Sequence, residues 1–119
     1  MPEIRRITPA FAVAGQLHRE DLPGIAAEGF RTIVNNRPDH EEASQPLSGE
    51  LAAEAARLGL AWRDLPVPGP VSDEQAIALG QVVDELPGPV LAFCRSGRRS
   101  AALWTTLEAR RGDAGVDLR

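Results

Sequence analysis

The sequence predicts an α/β fold with a mainly parallel central sheet flanked by helices on both faces. Two observations carry this expectation. Short apolar runs alternate with segments of helical periodicity along all 119 residues, and strands that alternate with helices need crossover connections, which make neighbouring strands parallel. Near the C-terminal end, Val90-Leu91-Ala92-Phe93 runs directly into Cys94-Arg95-Ser96-Gly97-Arg98-Arg99-Ser100 and then into the periodic Ala101-Ala102-Leu103-Trp104, which is a strand, a tight loop and a helix.

The elements follow in order. Ile4 to Ile7 and Phe11 to Ala14 read as short strands interrupted by Thr8-Pro9. A helix begins near Asp21, because Pro23 is tolerated only in a first turn, and runs to Gly29. Phe30 to Val34 reads as a buried strand, and residues 35–46 as a polar loop long enough to suggest function. Ser48 caps a helix that ends at Leu58 with Gly59 as its stop. Leu60 to Val67 is the next strand and Pro68-Gly69-Pro70 a rigid turn. Ser72 to Gln75 has the capping-box pattern and opens a helix to Leu86, which Pro87-Gly88 breaks. The last helix is expected to end at Arg111. Ligands of such sheets bind at the carboxyl ends of the strands, so loops 35–46, 67–71 and 94–100 should share one rim.

Length and charge narrow the function. A chain of 119 residues is expected to form one domain that buries roughly two-thirds of its unfolded surface. No apolar run approaches a membrane span or a secretory signal, and a lone cysteine forms no internal disulfide, so a cytoplasmic protein without membrane contact is expected. The net charge of −4 argues against nucleic acid as a partner. All 13 Lys+Arg residues are arginine, and the cluster at 95, 98 and 99 stands out against the acidic background.

The chemistry concentrates on Cys94. At the turn into a helix its sulfur would lie under converging backbone N–H groups, and cysteines so placed have pKa values lowered to about 3.5–7.5. A buried structural thiol would not explain the abrupt switch to three arginines, two serines and a glycine in the next six positions. Gly97 permits a turn that a side chain would obstruct, Arg99 has a fork of donors suited to tetrahedral oxygens, and Arg95, Ser96 and Arg98 complete an anion-binding loop. Arg95 and Arg98 either point into water or extend the positive rim. His18 and His40 are far apart with no further ligand at metal spacing, so neither a metal nor any other cofactor is expected. Trp62 and Trp104 read as core or rim packing, and Glu41-Glu42 as a solvated acidic segment.

Several segments in order carry a family likeness: Ala14-Gly15-Gln16-Leu17, Asp21-Leu22, Gly29 through Asp39, Gln45-Pro46, Leu65-Pro66-Val67, Gly88-Pro89-Val90-Leu91, the cysteine loop and Leu103-Trp104. Over nearly its whole length the chain resembles the small bacterial phosphatase-like family known from the beta-lactamase hydrolase-like proteins, a branch of the protein tyrosine and dual-specificity phosphatase superfamily. The resemblance implies a compact dual-specificity-phosphatase-like fold. It also implies that Cys94 attacks phosphorus, that Arg99 and the loop amides hold the oxygens, and that Ser100 donates to the sulfur. Asn36, Arg37 and Asp39 would form the substrate rim. The substrate would be a small phosphorylated molecule or a phosphoprotein.

Two departures from the superfamily pattern bear on function. Four residues, not five, separate Cys94 from Arg99, and Phe93 stands where a histidine usually precedes the cysteine. The spacing Cys-x-x-Gly-x-Arg also resembles single-domain rhodaneses, which would make Cys94 a persulfide carrier acting on a sulfur donor, although the Asp-Val-Arg-Glu and Gly-His-Ile landmarks are missing. The second departure concerns the acid that protonates the leaving group, because Val67 is followed by Pro68-Gly69-Pro70 where the superfamily usually supplies an aspartate. Asp64 is the first candidate, with Asp73 and Asp39 behind it; Asp73 also reads as an ordinary helix first-turn residue, and Asp39 as a residue that orients Arg37. Three functions stay open: a cysteine phosphatase, a sulfurtransferase, and a non-catalytic anion-binding module.

Overall fold

The computed structural model describes the backbone of residues 2–117 and the side chains of 2–112. Five strands form one sheet: β1 (Ile4–Thr8), β2 (Phe11–Ala14), β3 (Thr32–Asn35), β4 (Ala61–Asp64) and β5 (Val90–Phe93), in the spatial order β1-β2-β5-β3-β4. Only β1 is antiparallel, joined to β2 by a hairpin with a register shift between Arg6 and Thr8; the other pairings are parallel. The last strand in sequence thus lies at the centre of the sheet. β2, β3 and β5 are buried along their whole length, as strands covered on both faces must be.

Helices cover the two faces in two sets. On one face α1 (Leu22–Ala27) and α2 (Ser48–Arg57) pack Leu22, Ile25, Leu51 and Ala55 against Ala12, Ile33, Leu91 and Phe93. On the other, α3 (Asp73–Glu85) and α4 (Arg98–Asp117) pack Ala76, Leu79, Leu103 and Leu107 against Phe11, Val13, Val34 and Ala92. Alternate residues of one strand serve opposite layers, as the period of two requires. Trp104 stacks on Phe11 with ring centroids 4.2 Å apart, and Trp62 lies 5.9 Å from Phe93, so both tryptophans pack against strand aromatics. No described helix is long and apolar enough to cross a membrane.

The expected fold class is borne out, while several boundaries move for physical reasons. A short 3-10 turn, Arg19–Asp21, precedes α1, with the Asp21 carboxylate accepting the His18 N–H at 2.8 Å. β3 starts at Thr32, not Phe30: the Phe30 ring is buried in the α1/α2 layer under the Arg6 guanidinium, 4.6 Å away. β4 ends at Asp64, because Pro66 and Pro68 lack the N–H a ladder needs. The Leu65 and Val67 amides still donate to the Asn35 and Asn36 carbonyls. Ser48 is the first residue of α2 and not its cap; its N–H donates to the Asp39 carboxylate at 2.8 Å. At α3 the Ser72–Gln75 capping box forms as expected, at 3.1 and 2.8 Å. α4 begins at Arg98 and continues to Asp117, past the expected end at Arg111.

Candidate active site

The site is assembled where β2, β5 and β3 end at one level. Ala14, Phe93 and Asn35 are register partners, so Gly15, Cys94 and Asn36 emerge side by side at the carboxyl edge. Main-chain bonds lock the three exits together. Cys94 N–H donates to the Ala14 carbonyl at 3.3 Å, Gln16 N–H to Arg95 at 3.2 Å, and Asn36 N–H to Phe93 at 2.8 Å. The chain then reverses at Gly97, whose φ of +91° lies in the left-handed region, and Ala101 N–H donates to the Gly97 carbonyl to start α4. Arg99 and Ser100 therefore belong to the first helical turn and not to the loop before it.

This geometry turns backbone donors onto the sulfur. Cys94 is 1% exposed, and its Sγ accepts the Gly97 N–H at 3.0 Å. Burial alone would raise the thiol pKa, but the amides of Ser100, Ser96, Arg99 and Gly97 together outweigh it, and the pKa is lowered. The sulfur thus lies at a helix start, with its pKa held below that of an ordinary thiol.

Arg99 stands in the first turn of that helix, held from behind. Its Nη1 donates to Glu41 Oε2 at 2.7 Å and to the Val67 carbonyl at 2.9 Å, and its Nη2 donates to Glu41 Oε1 at 2.8 Å. Glu41 also accepts Arg37 Nε at 2.9 Å, while Arg37 Nη1 donates to Gln16 and Nη2 to Glu42. Arg95 pairs with Glu42 at 3.3 Å. Three arginines, Arg37, Arg95 and Arg99, are thereby linked through Glu41 and Glu42. The hydrogen bonds to Arg99 hold the Glu41 carboxyl at a pKa of about 2 against the opposing effect of burial, with Arg37 adding to the same result. Glu41, in turn, is the main cause that raises the pKa of Arg99, with the Cys94 sulfur contributing.

The arrangement gives several of the expected residues partners that the sequence did not indicate. Glu41 and Glu42 are exposed, as expected of a solvated segment, but they also partner the arginines. Arg37 borders two cavities at this edge, but its side chain is only 3% exposed and donates to Glu41, Gln16 and Glu42. Asn36 is fully buried, donating to the Leu65 carbonyl at 2.9 Å and accepting the Ser100 hydroxyl at 2.8 Å. The Ser100 hydroxyl is therefore directed at Asn36, and Ser100 lowers the Cys94 pKa through its backbone amide. Asp39 is tied to Ser48, through its N–H at 2.8 Å and its hydroxyl at 3.2 Å, and not to Arg37.

The candidate acids are not brought to the sulfur. Asp64 lies two strands from Phe93, about 10 Å by strand spacing, and accepts Trp62 Nε1 at 2.9 Å and Asn35 Nδ2 at 3.2 Å. It opens onto a cavity of about 260 Å³ shared with Asn35, Arg37, Pro38, Asp39, Ser48 and Pro66, to which no residue of the cysteine loop contributes. Asp73 sits in the first turn of α3 and pairs with Arg110 at 3.3 Å. Arg95 and Arg98 are exposed; Arg98 lines a separate cavity with Ser96, Glu3 and Arg5. Sequence reasoning missed Glu41, Gln16 and the Val67 carbonyl. The available signal was charge: an acidic pair four and five residues after an arginine just past a buried strand needs a further cationic partner, and the start of α4 supplies one.

A mainly parallel sheet whose central strand delivers a cysteine loop to a helix start, with an arginine in the first turn, is a fold shared with solved phosphatase structures. A crystal structure of a "putative phosphatase" from Neisseria meningitidis Z2491 matches with a TM-score of 0.80 and 31% identity over 85% of this chain and 72% of that one. The core catalytic domain of a PP-IP phosphatase from S. cerevisiae shares the fold at a TM-score of 0.68 and 15% identity, covering 86% and 62% of the two chains. The family described as beta-lactamase hydrolase-like protein, phosphatase-like domain, matches residues 3–111, and the chain belongs to it. The beta-lactamase hydrolase-like protein of Agrobacterium fabrum is 38% identical over 108 residues, 90% of this chain. The chain spans about a quarter of that relative's length.

Proposed function

We propose that this domain hydrolyses phosphomonoesters through a phosphocysteine on Cys94. The observation that carries the reading is a buried Cys94 sulfur that accepts the Gly97 N–H at 3.0 Å where β5 turns into α4, with Arg99 in the first turn of that helix. The Cys94 thiolate attacks phosphorus, forming the S–P bond as the P–O bond to the leaving group breaks and the leaving oxygen departs with the electron pair. Water then attacks the phosphocysteine, breaking the S–P bond and releasing phosphate and the thiolate. The loop amides and Arg99 match the equatorial oxygens of both transition states. The substrate is a phosphorylated small molecule or a phosphoprotein, and an activated thiol without a second cysteine favours a reducing compartment such as the cytoplasm.

The leaving group gains little help from the protein. Glu41, the carboxyl that bridges to Arg99, is ionised at any physiological pH, and Asp39, Asp64 and Asp73 are engaged elsewhere. Esters with weakly basic leaving groups are therefore the favoured substrates, since an unassisted alkoxide departs slowly. Purified protein should release phosphate from p-nitrophenyl phosphate at least tenfold faster than from glycerol phosphate, on the order expected for a missing acid. Cys94→Ser should abolish both. Undiminished turnover in that variant would end the proposal.

The four-residue spacing between Cys94 and Arg99 is the observation that favours a second reading, sulfur transfer. It predicts a mass gain of one sulfur atom on Cys94 with thiosulfate and thiocyanate formation with cyanide. Running both assays on one preparation separates the two.

A further inference from the structure

The guanidinium of Arg99 has two forks: an end-on pair, one N–H from each Nη, and a side-on pair, Nε–H with the remaining Nη2–H. Glu41 takes the end-on pair in a bidentate contact, at 2.7 and 2.8 Å, and the Val67 carbonyl takes the other Nη1 hydrogen at 2.9 Å. Among the described hydrogen bonds no oxygen acceptor takes the side-on pair, while the Cys94 sulfur lies near enough to Arg99 to help raise its pKa. Arginine on a helix start has several rotatable bonds and would otherwise sample many positions over the loop. Here three acceptor contacts from two other segments fix it.

Glu41 is itself held from the far side. Arg37 Nε donates to its Oε1 at 2.9 Å, and Arg37 is buried, anchored by its own N–H to the Asn35 side chain at 2.8 Å and by Nη1 to Gln16 at 2.9 Å. A chain of contacts thus runs from the end of β3 through Arg37 and Glu41 to Arg99. The geometry points to Glu41 as a positioning residue that fixes Arg99 by its end-on fork, so that the side-on fork is presented to a phosphoryl group on Cys94. This rests on the phosphatase reading and adds to it a residue outside the cysteine loop. The alternative is that the carboxylate competes with phosphate for Arg99. The side-on pair, which no oxygen takes, speaks against that, because phosphate and carboxylate engage different edges of the same guanidinium.

Inorganic phosphate is the probe, titrated calorimetrically against the full chain and, in parallel, as a competitive inhibitor of p-nitrophenyl phosphate turnover. Glu41→Gln keeps the size but presents an amide NH2 to donors, and should weaken phosphate binding and raise KM by roughly tenfold, as loss of a charge-assisted bidentate contact does. Glu41→Asp, which retains the charge with a shorter reach, should recover part of the loss and also serves if the amide variant folds poorly. Glu74→Gln removes a carboxylate from the exposed start of α3 and should leave phosphate affinity unchanged. Equal or tighter phosphate binding by Glu41→Gln, or an effect matched by Glu74→Gln, would overturn the assignment. A parent protein that neither binds phosphate nor turns over ester would instead end the phosphatase reading itself.

Discussion

Asn36 has no surface at all, yet its side chain joins three segments of the site. Its Nδ2 donates to the Leu65 carbonyl and its Oδ1 accepts the Ser100 hydroxyl, while its main chain bonds to Phe93 and Val67. Substitution by alanine would leave one buried carbonyl and one buried hydroxyl without partners, and each unsatisfied group carries its full desolvation penalty. Asn36→Ala should lose about 2–4 kcal/mol of stability. The change should appear in urea unfolding as a lower midpoint at unchanged slope; a midpoint within error of the parent would refute it. Position 36 was readable as a polar residue after a strand. Polarity does not say which way a side chain points, and here it points into the protein.

At the scale of elements, the turn from β5 into α4 decides the chemistry. Gly97 is required twice over: its φ is +91°, and a Cβ there would stand 3.3 Å from the Ala14 carbonyl oxygen. Alanine would cost about 1–2 kcal/mol for the left-handed backbone alone. Relief of that strain would swing the Gly97 N–H away from Sγ, which it now meets at 3.0 Å. Gly97→Ala should therefore move the pH midpoint of Cys94 alkylation by iodoacetamide up toward that of a free thiol, and phosphate release should fall with it. An unmoved midpoint would show that the remaining amides suffice. The strand, the glycine and the helix periodicity were all local signals, which is why this element was legible before any coordinates. The start of α4 at Arg98 was less so, because helix boundaries depend on where the preceding loop closes.

At the scale of the whole molecule, charges far apart in sequence meet at one rim. Glu41 and Arg99 are 58 positions apart, and the sheet order that puts β5 between β2 and β3 brings their loops together. The folded-state pKa of Glu41, about 2, lies below its ordinary 4.5, so the unfolded chain binds its proton first as pH falls. The stabilisation is complete above about pH 4.5 and is lost progressively as pH falls from there through 2. The groups that act on Glu41 are Arg99 and Arg37, with Glu42 close by and feeling the charge of Glu41. Thermal unfolding followed between pH 6 and pH 2 should show a steeper loss of Tm in the parent than in Glu41→Gln. Parallel curves would mean that the carboxylate contributes nothing to folding.

The sequence by itself determined what is local. Alternating apolar and periodic segments set an α/β fold, Ser72 and Gln75 set the start of α3, and a strand, Cys94, Gly97 and a helix in succession set an anion-binding loop, since hydrogen bonding and sterics over a few residues suffice for each. Only the tertiary structure decided which side chains meet that loop. Arg37 turned inward, Asp64 stayed two strands away, and Glu41 reached Arg99, because these outcomes depend on strand order and on the mutual neutralisation of partly buried charges, and neither is encoded at any short spacing along the chain.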